Sequence, residues 1–400
     1  FGFPASMPSV LAHAGLKGFS TQKLTWGSAV GIPFNVGKWI GPDGRHIIAV
    51  LNPGAYVSSL REDLSKSNDW LERARKNGEK TGFAADFKYV GVGDRGGAVD
   101  EESASWINKS VEGEGPLCVK ARASDDIFKD MKPENIAKLP TFKGDMLLTE
   151  HSAGSITSQA YMKRWNRKNE LLADGAERAS LIADWLGSIK YPTSRLRGVW
   201  HKILGLQMHD ILPGTAIPEA YEYSWNDAVI GLNTSASILT AAAGPAAMML
   251  DTDVQGEPVI VFNPLSAERE DLVRAKVGFG ASAPAAARVF GPDGAEVPSQ
   301  IVGRSGAEIE VMFLAKVPSV GYAVFDVRAA EAPSAIQTGL SVTNNTLENK
   351  RFKATLDANG DIASLFDKAN GREVLSAPAR LEMMEDTPRE WPAWNIDWSD

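Results

Sequence analysis

The stretch SQAYMKRWNRKNELLADGAERASLIADWLGSI (158–189) decides how the rest of the chain is read. Tyr161, Trp165, Leu172, Ala176, Ala179 and Ile182 recur at close to helical spacing, which predicts one long helix with a single apolar face. Two further helical stretches follow, TSRLRGVWHKILGLQMHDIL (193–212) and YSWNDAVIGLNTSASILTAAA (223–243). Three consecutive long helices predict a three-helix bundle over 149–243. Upstream, over 1–148, short apolar runs such as HIIAVLNP (46–53) and GDMLLTE (144–150) are mixed with helical text such as VSSLREDLSKSNDWLERARKNG (57–78). That mixture predicts an α/β layer. Downstream, over 244–400, EPVIVFNPL (257–265), EIEVMFLAKV (308–317), GYAVFDVR (321–328) and RFKATLDANGDIASLFD (351–367) alternate between Gly, Pro and Asn-Gly turn signals. These predict a β-sandwich. The fold class is therefore multidomain, α/β, then α, then β.

Four hundred residues, 44% of them hydrophobic, suffice for several cores. The 42 Lys and Arg against 50 Asp and Glu leave a net charge of -8. No basic run stands out, so nucleic acid and anionic membrane are poor partners, and a neutral or small polar ligand fits better. With one cysteine, Cys118, neither an intrachain disulfide nor a Cys-x-x-Cys motif can form. No apolar run is long enough to span a bilayer. The opening FGFPASMPSV lacks an initiator Met and the basic start of a signal peptide, and reads as an internal cut.

Within the second helical stretch, LQMHDILPGT (206–215) sets His209 beside Asp210 just before a Pro-Gly stop. Trp200, Ile203, Leu204, Gln207, Met208 and Ile211 share a helical face, so the pair is expected in the last turn, facing a cleft. Read alone, a helix-end histidine more often packs or caps the final carbonyls. Asp94 lies in GVGDRGG after the apolar KYVGV, where glycines let backbone approach a ligand. An ordinary polar turn is the alternative. The glycines have no phosphate-loop spacing.

Eight stretches in order carry a family resemblance: FGFPASMPSVLAHAGLKGFSTQKLTW (1–26), WIGPDGRHIIAV (39–50), YVGVGDRGGAV (89–99), GDMLLTEHSAGSITSQAYMKRWNRKNELLADGAE (144–177), WHKILGLQMHDILPGT (200–215), VIVFNPL (259–265), LENKRFKATLDANGDIASLFDK (347–368) and WPAWNID (391–397). The chain resembles the glycoside hydrolase family 38 α-mannosidases. That resemblance implies a seven-stranded β/α barrel, of which 1–148 would be the C-terminal part, then a three-helix bundle and a large β-sandwich. It also implies retaining hydrolysis of α-mannoside oligosaccharides with one bound Zn2+. By the same likeness His209 is a zinc ligand, Asp210 accepts hydrogen bonds from sugar hydroxyls, and Asp94 is the acid/base. Phe1, Lys23 and Tyr56 match positions near the sugar, while Glu150-His151 is read as structural, with Thr157 or Ser158 capping the first bundle helix.

In the family, a His-x-Asp pair and a nucleophilic aspartate, the latter two residues before the Phe-Gly matching Phe1-Gly2, complete the site. The chain as given is therefore expected to lack its nucleophile and three zinc ligands and to be inactive. A cytoplasmic location is expected, and homo-oligomerisation stays open. Two other readings remain: a carbohydrate-binding or inactive mannosidase-like protein, or another metal-dependent barrel hydrolase.

Overall fold

Every apolar side chain from Ile47 to Leu51 is buried. A strand points successive side chains to opposite faces. Ile47, Ala49 and Leu51 accordingly join Leu24, Trp39 and Met146 in one core, while Ile48 and Val50 join Val36, Met131 and Leu139 in another. This strand is covered on both sides, which is why its text is continuously apolar instead of alternating.

The computed structural model describes residues 2–397 except 27, 29, 30, 56, 95, 150 and 281. It forms two compact units, Phe1–Ser158 with Asp386–Asp400, and Gln159–Glu385. The first unit begins with β1 (Gly2–Phe3), α1 (Met7–His13), β2 (Gly18–Ser20), β3 (Val36–Ile40), β4 (His46–Val50) and β5 (Val57–Ser58). It continues with α2 (Asn68–Thr81), β6 (Gly91–Val92), α3 (Glu101–Val111), α4 (Asp126–Asp130), α5 (Pro133–Lys138), β7 (Thr141–Lys143) and β8 (Met146–Leu147). One sheet has the order β2-β4-β3-β7. In it β2 runs parallel to β4, whereas β3 runs against β4 and parallel to β7. Among the described residues this sheet is open and mixed, and no closed barrel forms.

The helix expected over 57–78 starts only at Asn68. Ahead of it, Val57–Ser58 pairs with Gly91–Val92, a long-range contact that local periodicity cannot signal. The helix ends on Gly82 in the left-handed region at φ 71°, whose amide donates to the Gly78 carbonyl. Residues from Asp386 onward group with this first unit. The reason is a close backbone contact: Gly154 N–H donates to the Trp394 carbonyl at 2.8 Å, and a Cβ on Gly154 would lie 2.5 Å from the Asn395 oxygen.

The second unit opens with α6 (Ala160–Trp185), α7 (Thr193–Leu206) and α8 (Pro218–Ala247), which pack on one another. Beyond Met162, the buried face of α6 consists of small and polar residues, including Asn169, Ala173, Ala176, Ala179 and Ala183. Tyr161, placed on that face by spacing, is 62% exposed instead. Small residues bring helix backbones close, and Gly231 of α8 shows how close, since a Cβ there would stand 2.5 Å from Asn169 Oδ1. The N-cap of α6 is Gln159, not Thr157 or Ser158. Both of those hydroxyls donate to the Gly154 carbonyl.

The strands that follow are β9 (Glu257–Asn263), β10 (Arg269–Gly278), β11 (Ala286–Phe290), β12 (Glu296–Val297), β13 (Ser299–Ser305), β14 (Glu308–Val317) and β15 (Gly321–Ala330). They form two sheets, β10-β14-β13 and β12-β11-β15-β9. Alternate residues of β14, Ile309, Val311 and Phe313, meet Val289, Phe325 and Val327 of the other sheet in one core, which makes a sandwich. A separate five-stranded meander closes the unit: β16 (Ser341–Val342), β17 (Thr346–Glu348), β18 (Phe352–Leu356), β19 (Ile362–Asp367) and β20 (Arg372–Glu373).

Candidate active site

The parallel strands β2 and β4 end side by side, Ser20 opposite Val50. Beyond β2 the chain is locked at once: Thr21 N–H donates to the Val50 carbonyl at 3.1 Å, and Thr21 Oγ1 accepts from Lys23 N–H at 3.2 Å. These bonds wind Lys23–Trp26 into a 3-10 turn. The Lys23 ammonium then sits 3.7 Å from the centre of the Trp26 ring, a cation–π contact. His151 meets the same indole at 4.9 Å with its plane turned by 71°. Burial, and then the nearby Lys23 charge, push the His151 pKa below its ordinary value, so the ring is neutral at neutral pH. Gln22, next to Lys23, is almost fully buried, and its Oε1 has no hydrogen-bond partner among the described residues.

The Gly-rich segment is fastened to the same strand ends. Tyr89 donates its N–H to the Pro53 carbonyl at 2.8 Å and its hydroxyl to Ser20 Oγ at 2.5 Å. Val57 pairs with Val92, two residues before Asp94. The KYVGV run thus contributes only the two-residue strand Gly91–Val92, and Asp94 occupies an exposed turn beyond it. Its φ of 62° is left-handed, a conformation rare outside glycine and tolerated by Asp because the short side chain can bond locally. Such backbone conformations gather at functional sites.

Tyr89 thus fastens the segment leading to Asp94 to the end of β2, three residues before Lys23. Gln22, Trp26 and His151 stand beside Lys23, a grouping sequence reasoning missed, for which TQKLTW and TEHSAG hold the only signals. Phe1, Tyr56 and Glu150 lie outside the described residues.

His209 and Asp210 belong to the second unit. The helix expected to carry them stops at Leu206, and the pair sits in the turns that follow. The expected face also shifts, since Leu204 is exposed while Leu196, Val199, Ile203 and Leu206 are buried. Two neighbours take up the freed carbonyls. Lys163 of α6 donates to the Leu212 and Pro213 carbonyls, each at 3.1 Å, and the buried Tyr221 of α8 donates its hydroxyl to the Asp210 carbonyl at 3.1 Å. Burial lowers the Lys163 pKa and raises that of Tyr221. Asp210 Oδ1 accepts from Thr215 Oγ1 at 2.8 Å, and Oδ2 lies 3.4 Å from His209 Nε2. The His209 side chain is 85% exposed.

Zinc takes about four N, S or O donors. His209 and Asp210 offer two, and among the described residues no group of three or more His, Cys, Asp or Glu is arranged around a metal position. The described residues do not make a zinc site by themselves.

Comparisons with known proteins place this geometry in a family. The glycosyl hydrolases family 38 N-terminal domain matches residues 1–145, the alpha mannosidase middle domain residues 150–244, and the family 38 C-terminal domain residues 347–400. Alpha-mannosidase 2C1 of Mus musculus is 25% identical over 408 residues, covering 99% of this chain and 35% of its own length. An alpha-mannosidase of Saccharomyces cerevisiae is 29% identical over 234 residues, 56% of this chain and 21% of that protein. The crystal structure of an alpha-mannosidase from Enterococcus faecalis V583 shares the fold with a TM-score of 0.66 at 19% identity, covering 92% of this chain and 47% of that one. The chain spans about a third of the length of the mouse relative it matches. With N-terminal, middle and C-terminal matches in order along its length, the chain belongs to glycoside hydrolase family 38.

Proposed function

We propose that the protein carrying this chain is a retaining α-mannosidase that removes terminal α-linked mannose from oligosaccharides or glycans. The observation that carries this reading is that Tyr89 fastens the segment leading to Asp94 to the carboxyl ends of β2 and β4, just beyond which Lys23 follows. Ligands of α/β folds sit beyond such strand ends. In the same reading 1–148 is part of a seven-stranded β/α barrel, 149–243 a three-helix middle domain and 244–400 a β-sandwich domain.

Retaining hydrolysis needs two carboxyl groups about 5–5.5 Å apart. Asp94 supplies one: it protonates the departing glycosidic oxygen and later takes a proton from the attacking water. No residue of this chain is assigned as the nucleophile. Lys23 donates to ring hydroxyls, and the Trp26 indole offers an apolar face to the pyranose. Phe1 and Tyr56 extend this sugar contact, and Asp210 accepts from further hydroxyls. His209 is a zinc ligand in this reading, with its companions outside the described residues. Zinc would supply a Lewis acid for sugar hydroxyls, and no step is assigned to it here.

The shortage of metal donors among the described residues favours a second reading, a mannoside-binding protein that does not hydrolyse. NMR of an α-mannoside incubated with the protein separates the two. The α-anomer as first product supports the proposal. The β-anomer first, or binding without turnover, overturns it.

A further inference from the structure

A cavity of about 760 Å³ opens in the first unit among α2, α3 and residues 116–131, and neither Lys23, Trp26, Asp94 nor His151 lines it. That volume suits a small organic molecule. Leu64, Trp70, Phe83, Phe87 and Ile107 give its walls an apolar portion beside the charged groups. Most of the charges on it are matched within the protein. Asp86 is held by Arg73 at 2.9 Å, and Arg122 lies 3.8 and 3.5 Å from Asp126 and Asp130. Lys120 is exposed to solvent. Lys88 differs: it is half-buried, its ammonium lies 5.3 Å from the Trp70 ring centre, and Glu62 reaches it only as a through-space charge. Burial accordingly pushes its pKa down, the mark of a cation short of a counter-charge.

We propose that this cavity binds a carboxylate with an apolar body, an aryl- or alkyl-alkanoic acid, whose carboxylate pairs with Lys88 while its body packs against Trp70, Phe83 and Phe87. The ligand would supply the counter-charge the wall lacks, and a hydrogen bond to a charged group in a partly dry site is stronger than a neutral one. None of Gln22, Lys23, Trp26, Asp94 or Asp210 lines this cavity, so its ligand is tested apart from mannoside hydrolysis.

The probe is 4-phenylbutyrate, with 4-phenylbutanamide as its uncharged match, titrated by calorimetry into the 400-residue chain at low salt. The acid is expected to bind about tenfold or more tightly than the amide. Lys88→Met should erase that preference and Lys88→Arg should keep it. Cys118, the single cysteine, lines the cavity and is exposed. Saturating acid should therefore slow its alkylation by N-ethylmaleimide several-fold. Equal binding of acid and amide, a preference that survives Lys88→Met, or unprotected Cys118 would overturn the proposal. Should Lys88→Met not fold, Lys88→Arg and Cys118 protection decide the matter.

Discussion

Tyr89 holds two strand ends at once: its hydroxyl donates to Ser20 Oγ at 2.5 Å and its amide to the Pro53 carbonyl at 2.8 Å. Ser20 closes β2, and Pro53 follows β4 by three residues. Through this one residue the segment leading to Asp94 is fastened to the ends of β2 and β4.

Removing the hydroxyl tests that attachment. Tyr89→Phe should lower the unfolding free energy by about 1 kcal/mol, the usual net worth of one hydrogen bond. Amide exchange over 89–99 should accelerate while exchange in α6 stays unchanged. Uniform acceleration in both units would mean that Tyr89 acts on global stability alone.

Asp94 is tested by leaving-group dependence in the protein carrying this chain. Asp94→Asn should slow hydrolysis of poor leaving groups far more than that of activated aryl mannosides, which need little protonation. Asp94→Gly should fit the φ of 62° without strain and lose the same activity. Equal losses on both substrates, or full activity in the glycine variant, would identify an ordinary turn.

His151 makes stability pH-dependent. Its folded pKa lies below the ordinary value of 6.5, so as pH falls the unfolded chain takes up the proton first. The stabilisation is present above about 6.5 and is lost as pH falls through the folded pKa. Between pH 7.5 and 5.5 the wild type should lose more stability than His151→Gln. Lys23→Met, which removes the second cause of the shift, should move the His151 titration upward by NMR.

The turn after α7 separates its two neighbours. His209→Ala should change stability by less than about 0.5 kcal/mol because the ring is mostly exposed, whereas Asp210→Ala should cost about 1 kcal/mol through the lost Thr215 bond. Calorimetric titration of the 400-residue chain should show weak zinc uptake. Tight uptake would reveal donors beyond this pair.

Gly154→Ala should cost about 1–3 kcal/mol, as overpacking does, because the new Cβ would press on the Asn395 and Trp394 backbone. Proteolysis should then cut within 386–397 first. An unaffected cleavage pattern would argue against the contact.

Features of the chain that depend on a few consecutive residues were legible in its text. GPDG occurs at 41–44 and 291–294 and builds the same turn twice, with Gly44 and Gly294 at φ 82° and 75° and each donating to the first glycine's carbonyl. Asn359-Gly360 likewise closes the hairpin from Phe352 to Asp367, and each of the three helices overlaps the stretch in which periodicity put it, though α7 stops at Leu206 and α8 starts at Pro218. Such elements follow from sterics and hydrogen bonds within about four residues, which a sequence states directly.

Tertiary structure decided the rest. The exposure of Tyr161 and Leu204, the end of α7 at Leu206, and the return of 391–397 to Gly154 each turn on a partner remote in sequence. So does the Lys23–Trp26–His151 cluster, whose members at 23–26 and 151 no spacing connects. Periodicity shows that a face will be buried; which neighbour covers it depends on packing between distant segments, and only the folded chain settles that.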